Sequence, residues 1–156
     1  MPPAVEPIRE RIIEAVRARL ATLAAGGTYW YTPGEVGRDW KLAEECQDLA
    51  QDRPYYGVVG GLEEPKDADN RDVHELLTVL IVGWIADSEN RDRAVNRALA
   101  DLIVATYTDE TWGLGPAVLY TEVGRREPEH AALLARPFGY FELELKVHYD
   151  RARTAA

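Results

Sequence analysis

The stretch Gly139-Tyr140-Phe141-Glu142-Leu143-Glu144-Leu145-Lys146-Val147-His148-Tyr149-Asp150 places Phe141, Leu143, Leu145, Val147 and Tyr149 on every second residue, with charged or polar residues between them. This is the pattern of a strand with one wet face. At about 3.3 Å per residue, the five large apolar side chains line one side over about 27 Å, while Glu142, Glu144, Lys146 and His148 take the other. The apolar face needs a cover, and two segments of the chain have the pattern to supply it.

The first is the segment from Ile8, where Ile8, Ile12, Val16, Leu20 and Leu23 recur at three or four, Ile13 widens the stripe, and Arg9, Glu10, Arg11, Glu14, Arg17 and Arg19 face out. Pro7 suits its first turn and Gly26-Gly27 its end. The second runs from about Glu89 to Tyr107, with Val95, Ala98, Leu99, Leu102, Ile103 and Thr106 on one stripe and Arg91, Arg93, Asn96, Arg97 and Asp101 largely opposite. Asp87-Ser88 offers the capping chemistry for its start.

Between the helices the pattern predicts strands. Thr28-Tyr29-Trp30-Tyr31 is aromatic and β-branched, and Pro33-Gly34 stops it. Glu35 to Asp52 reads as irregular, with a helical turn or two from Leu42 to Ala50. Tyr55 to Gly61 is a second strand, and the charged stretch Glu63 to Asp72 is a loop joining it to the next. Leu76 to Ile85 is apolar at nearly every position, as in a strand covered on both faces, and a partner subunit could provide the second cover. Trp112 lies in a glycine-rich loop, Ala117 to Val123 is a fourth strand, and Gly124 to Ala135 could hold one helical turn.

The order is therefore α-β-β-β-α-β-β. It predicts an α+β domain, a mostly antiparallel sheet of four or five strands with two amphipathic helices packed on one face. At 156 residues the chain is one domain. Residues 1–6 read as a loose N-terminal arm and 151–156 as a loose tail.

Composition excludes several function classes. Acidic residues outnumber basic ones 27 to 18, and no basic run interleaved with aromatics occurs, so sequence-specific nucleic-acid binding is not expected. The longest apolar run is too short for a membrane span, and Met1 to Leu23 lacks the apolar core of a secretory signal. Cys46 stands alone beside Glu44, Glu45 and Asp48, which disfavour a thiolate nucleophile. His74, His130 and His148 are far apart in sequence and lack ligand spacing, so no metal is predicted. Ser88 is the single serine and sits in no nucleophile elbow, and neither dinucleotide nor P-loop glycine pattern occurs. No cofactor and no catalytic residue are predicted.

Two features invite a functional reading. The residues Glu63, Glu64, Asp67 and Asp69 could form an acidic rim or lumen element, or simply a solvated loop. Trp112 and Leu114 could anchor an interface, or the tryptophan could fold back on its own core.

With the layout assembled, the chain resembles the tail terminator or tail completion proteins of long-tailed bacteriophages and prophages, small α+β minor tail proteins of the lambda terminator type. The resemblance is carried by the helix Ile8 to Leu23, the turn Gly34-Glu35-Val36-Gly37-Arg38, and Pro54-Tyr55-Tyr56-Gly57-Val58-Val59-Gly60-Gly61 before an acidic loop. It continues through the apolar strand Leu76 to Asp87, the arginine-rich helix Arg91 to Thr106 and the closing strand Phe141 to Arg151.

That resemblance implies a structural virion protein with no catalytic residues. It would form a homo-oligomeric ring, usually a hexamer, at the head-proximal end of the tail, assembled in the host cytoplasm. Such a ring caps the tail-tube protein, ends tube polymerisation and offers a surface to a head–tail connector protein. Tyr55, Tyr56 and the Leu76 to Ile85 strand would supply edges and apolar surface for ring closure. Glu63, Glu64, Asp67 and Asp69 would give a lumen through which DNA slides without sticking. A head–tail connector or neck protein fits the same pattern. A small-molecule enzyme or an α+β ligand-binding module would instead need a titratable cluster or a deep pocket.

Overall fold

The alternating stretch and the all-apolar stretch pair with each other. In the computed structural model, which describes residues 5–46, 48–69, 71–87, 89–128 and 138–152, β3 (Asp72–Ala86) and β5 (Phe138–Ala152) run antiparallel without a break in register, from Asp72 opposite Ala152 to Ala86 opposite Phe138. Around them lie β1 (Glu35–Gly37), β2 (Tyr55–Ala68) and β4 (Val118–Pro128), giving one five-stranded sheet among the described residues, in the order β1-β2-β3-β5-β4. All pairs are antiparallel except β1 with β2, so the sheet is mixed.

Helices α1 (Ile8–Leu20) and α2 (Arg91–Thr108) cover one face, as the two stripes predict. Ile8, Ile12, Ile13, Val16 and Leu20 from the first, and Ala94, Val95, Ala98, Leu99, Leu102 and Ala105 from the second, join Phe141, Leu143, Leu145, Val147 and Tyr149 in a single buried cluster. Each large side chain buried there is worth about 1.5–3 kcal/mol, so this layer dominates the folding free energy. Helix α1 ends seven residues before Gly27, its last carbonyls taken by the amides of Ala21, Thr22 and Leu23. The cap of α2 is Asn90, whose side chain accepts from the amide of Arg93, while Asp87 takes the amides of Glu89 and Asn90. Ser88 lies outside the described residues.

Five expectations are corrected. Thr28 to Tyr31 is not a strand: Gly26 and Gly27 turn with positive φ, and the carboxylate of Asp101 accepts the amides of Trp30 and Tyr31 that a neighbouring strand would have taken. The first strand is instead Glu35–Gly37. The predicted loop Glu63 to Asp72 is mostly strand, because β2 continues to Ala68 and β3 starts at Asp72, the turn being closed by Asp69 on the amides of Arg71 and Asp72. Bulges after Gly60 and after Pro65 absorb the irregular sequence.

β4 continues to Pro128, so Gly124 to Pro128 is strand; the rest of the predicted helical turn lies outside the described residues. Finally, the second cover of β3 comes from the chain itself. Residues 38–46, with a 3-10 turn at Ala43–Cys46, and Leu49 lie against Tyr55, Val82, Trp84, Phe138 and Tyr140, where Trp84 Nε1 donates to the carbonyl of Lys41 and Tyr55 Oη to that of Asp39. Arg151 and Ala152 belong to β5 rather than to a loose tail.

Candidate functional site

Residues Tyr55–Val58 of β2 are buried, but from Leu62 to Ala68 the strand is largely exposed and forms an acidic arm along the outer edge of the sheet, paired with the start of β3, which β5 flanks as far as Asp72, and ending in the turn at Asp69. Leu62–Asp72 carries five carboxylates (Glu63, Glu64, Asp67, Asp69 and Asp72) against Lys66 and Arg71. The four acidic residues singled out in the sequence therefore do share one structural unit, and it is a strand arm rather than a loop.

Glu63 is at its root. Its carboxylate accepts from Tyr149 Oη at 2.6 Å and lies 3.9 Å from Arg9, while the guanidinium of Arg9 donates to the carbonyl of Gly61. Burial and the Glu63 carboxylate together push the Tyr149 phenol far above its ordinary range, so it stays a donor. Glu64, Asp67 and Asp69 face solvent further out.

The predicted interface residues are placed differently. Trp112 is 4% exposed, its indole donating to Thr121 Oγ1 at 2.9 Å and lying under the guanidinium of Arg19 at 4.3 Å. Arg19 also donates to Asp109, whose carboxyl is held low by its bonds from Thr111, Gly113 and this cation. Trp112 thus folds back on its own core, with Leu114 half-buried beside it. Tyr55 and Tyr56 are buried on opposite faces of β2, in the two separate clusters. None of the three aromatic side chains is offered to a partner; the correction follows from alternation along β2 and from Thr121, whose buried hydroxyl gives the Trp112 indole N–H an acceptor inside the fold.

Sequence distance concealed one cluster. His74 on β3 and His148 on β5 are diagonal neighbours across the ladder, with Nε2 of the first 3.1 Å from Nδ1 of the second. Asp150 lies 3.1 Å from His74 Nδ1, Tyr120 stacks on His148 at 4.2 Å, and Glu122 is 3.9 Å from His148 Nε2. A neutral His74 ring that donates to Asp150 through Nδ1 accepts from His148 at Nε2. Once a strand register is assumed, the i and j±2 relation would have revealed this pair; spacing alone could not.

Chemically, these groups bind each other. Among the described residues no set of three or more His, Cys, Asp or Glu side chains is arranged to hold a metal. A hollow of about 370 Å³ lies beside Lys41, Glu45, Cys46 and Tyr55, but burial pushes the Cys46 thiol up to about 11, which removes it as a nucleophile at neutral pH. No described helix is long and apolar enough to cross a membrane.

The fold and this end of the sheet define an α+β protein whose exposed, charge-rich feature is a strand arm. No protein-family model matches the chain, and no curated protein sequence matches it.

Proposed function

We propose that this chain is a structural assembly protein, a tail terminator that closes a ring of its own copies on the end of a phage tail tube, stops its growth and presents a surface to the head–tail connector. One observation carries the reading: the element order of the resemblance is accompanied by a subunit with two unlike ends, an acidic arm at one and the start of α2 at the other. Unlike ends favour head-to-tail contacts, which close into rings when the rotation permits. The role is structural, with no reaction and no cofactor.

The test is absolute mass in solution by light scattering, over a range of concentrations and with purified tail-tube protein added. A ring-sized particle, alone or on tube ends, is expected. A chain that stays monomeric and ignores tube protein at high concentration rules the reading out. A neck protein would also form a ring, but on connector rather than on tube.

A further inference from the structure

The exposed side of α2 carries a second patch. Arg93, Arg97, Ala100, Val104 and Tyr107 follow one another at four, three, four and three residues, which places them on one stripe of the helix. Val104 is 41% and Tyr107 50% exposed, and Trp30, 55% exposed, lies under the Arg97 guanidinium at 4.1 Å. The stripe is thus apolar toward the helix end and cationic toward its start. Asp92, the acid nearest the cations on this helix, is engaged by Asn96 at 3.4 Å. Beside Trp30 and Arg97 a hollow of about 330 Å³ is lined also by Arg53 and Asp52.

The arm has the complementary order. Leu62, 65% exposed, comes first, and Glu64 and Asp67 follow toward the tip. From Leu62 to Asp67 a strand covers about 16 Å, and from Val104 to Arg93 a helix also covers about 16 Å. Leu62 laid on Val104 and Tyr107 therefore brings the acids over the arginines. The arm cannot reach its own stripe: β3 separates its tip at Asp72 from Ala86, just before α2, by about 46 Å of extended chain.

We propose that the acidic arm of one subunit docks, head to tail, on the α2 stripe of a second copy of this chain, Leu62 seating on Val104 and Tyr107 while Glu64 and Asp67 meet Arg93 and Arg97. This rests on the ring reading above and names its contact. The two patches differ, so the contact is heterologous and repeats from subunit to subunit. Its charged half sets partner orientation and makes association salt-sensitive.

Two charge-reversed variants test it, Glu64→Lys with Asp67→Lys on the arm, and Arg93→Glu with Arg97→Glu on the helix. Each alone is expected to associate on the order of 100-fold more weakly than the unaltered chain, since like charges then face each other. Mixed in equal amounts they are expected to reassemble, because every junction of an alternating ring again pairs opposite charges. Folding of each is checked by thermal melting.

If both variants assemble like the parent, or if the mixture of folded variants stays dissociated, this contact is wrong while the ring reading stands. If the parent never assembles, with tube protein or without, both fall. A second measurement avoids the charged residues: Leu62→Cys with Val104→Cys in one chain should give an intersubunit disulfide ladder on oxidation. A clean monomer band from an assembled sample overturns the contact.

Discussion

The ring of Phe141 on β5 fills the space over Gly83, its register partner on β3, so closely that a Cβ on residue 83 would collide with the ring. The glycine is there for the aromatic: Phe141 is fully buried and stands edge-on to Tyr56 with ring centroids 6.2 Å apart. Gly83→Ala is expected to cost about 1–3 kcal/mol through overpacking, and Phe141→Ala about 3–5 kcal/mol through the cavity. In a Phe141→Leu background the alanine should be better tolerated. Chemical denaturation of the four chains measures the coupling, and strictly additive losses would contradict the contact.

Asp101 ties the segment after α1 to α2. Its carboxylate takes the amides of Trp30 and Tyr31 at 2.9 and 3.0 Å, and burial raises its pKa against the opposing pull of those amides. Asp101→Ala strands two donors and is expected to cost about 1–3 kcal/mol, with Asp101→Asn, which keeps one acceptor, costing less. Hydrogen exchange at Trp30 and Tyr31 should accelerate in both. Unchanged exchange would remove the tether from the account.

Tyr56 is the opposite case. Its hydroxyl is buried with no hydrogen-bond partner. Tyr56→Phe deletes a polar atom whose desolvation nothing offsets, so stability is expected to stay level or rise by about 1 kcal/mol. A clear loss in a melting experiment would show that the hydroxyl has a bonded partner in solution.

His148 makes the fold pH-sensitive. Burial lowers the pKa of His148 against the raising influence of Glu122, with His74 and Lys66 adding to the lowering. Asp150, hydrogen-bonded to His74, completes the charged surroundings. Because the folded pKa lies below the unfolded value of about 6.5, the neutral form is the one the fold prefers. Its contribution is complete above that value and is lost as pH falls through it. His148→Phe, which keeps the stack on Tyr120, should flatten the fall of unfolding free energy as pH drops below about 6.5. An unchanged slope would assign the titration elsewhere.

Cys46 is buried and its thiol is raised by desolvation ahead of the acidic neighbours Glu45 and Glu35, with Lys41 opposing. Only about one thiol in a thousand is ionised at pH 8. Alkylation is expected to be negligible in the folded chain and complete within minutes in denaturant. Rapid labelling of the native protein would mean that the cover around Cys46 opens.

The sequence by itself determined the layers. The alternation from Phe141 to Tyr149 and the 3–4 spacing from Ile8 and from Val95 are local consequences of side-chain direction, and each survives any choice of strand partner. The continuous apolar run Leu76 to Ile85 likewise demanded two covers. What supplied the second cover, the segment around Cys46, was decided only by tertiary structure, because Trp84 and Tyr55 bond to backbone carbonyls that no side-chain pattern announces.

The same holds for the site. Five acids within Leu62–Asp72 were visible in the chain, but whether they lay on a loop or a strand depended on the β2–β3 register, a property of two segments at once. Asp101 read as part of the outer face of its helix, and only the fold buried it against the amides of Trp30 and Tyr31. Trp112 under Arg19, and His74 against His148, were set by contacts between elements far apart in sequence, where packing and hydrogen-bond satisfaction, rather than local propensity, select the arrangement.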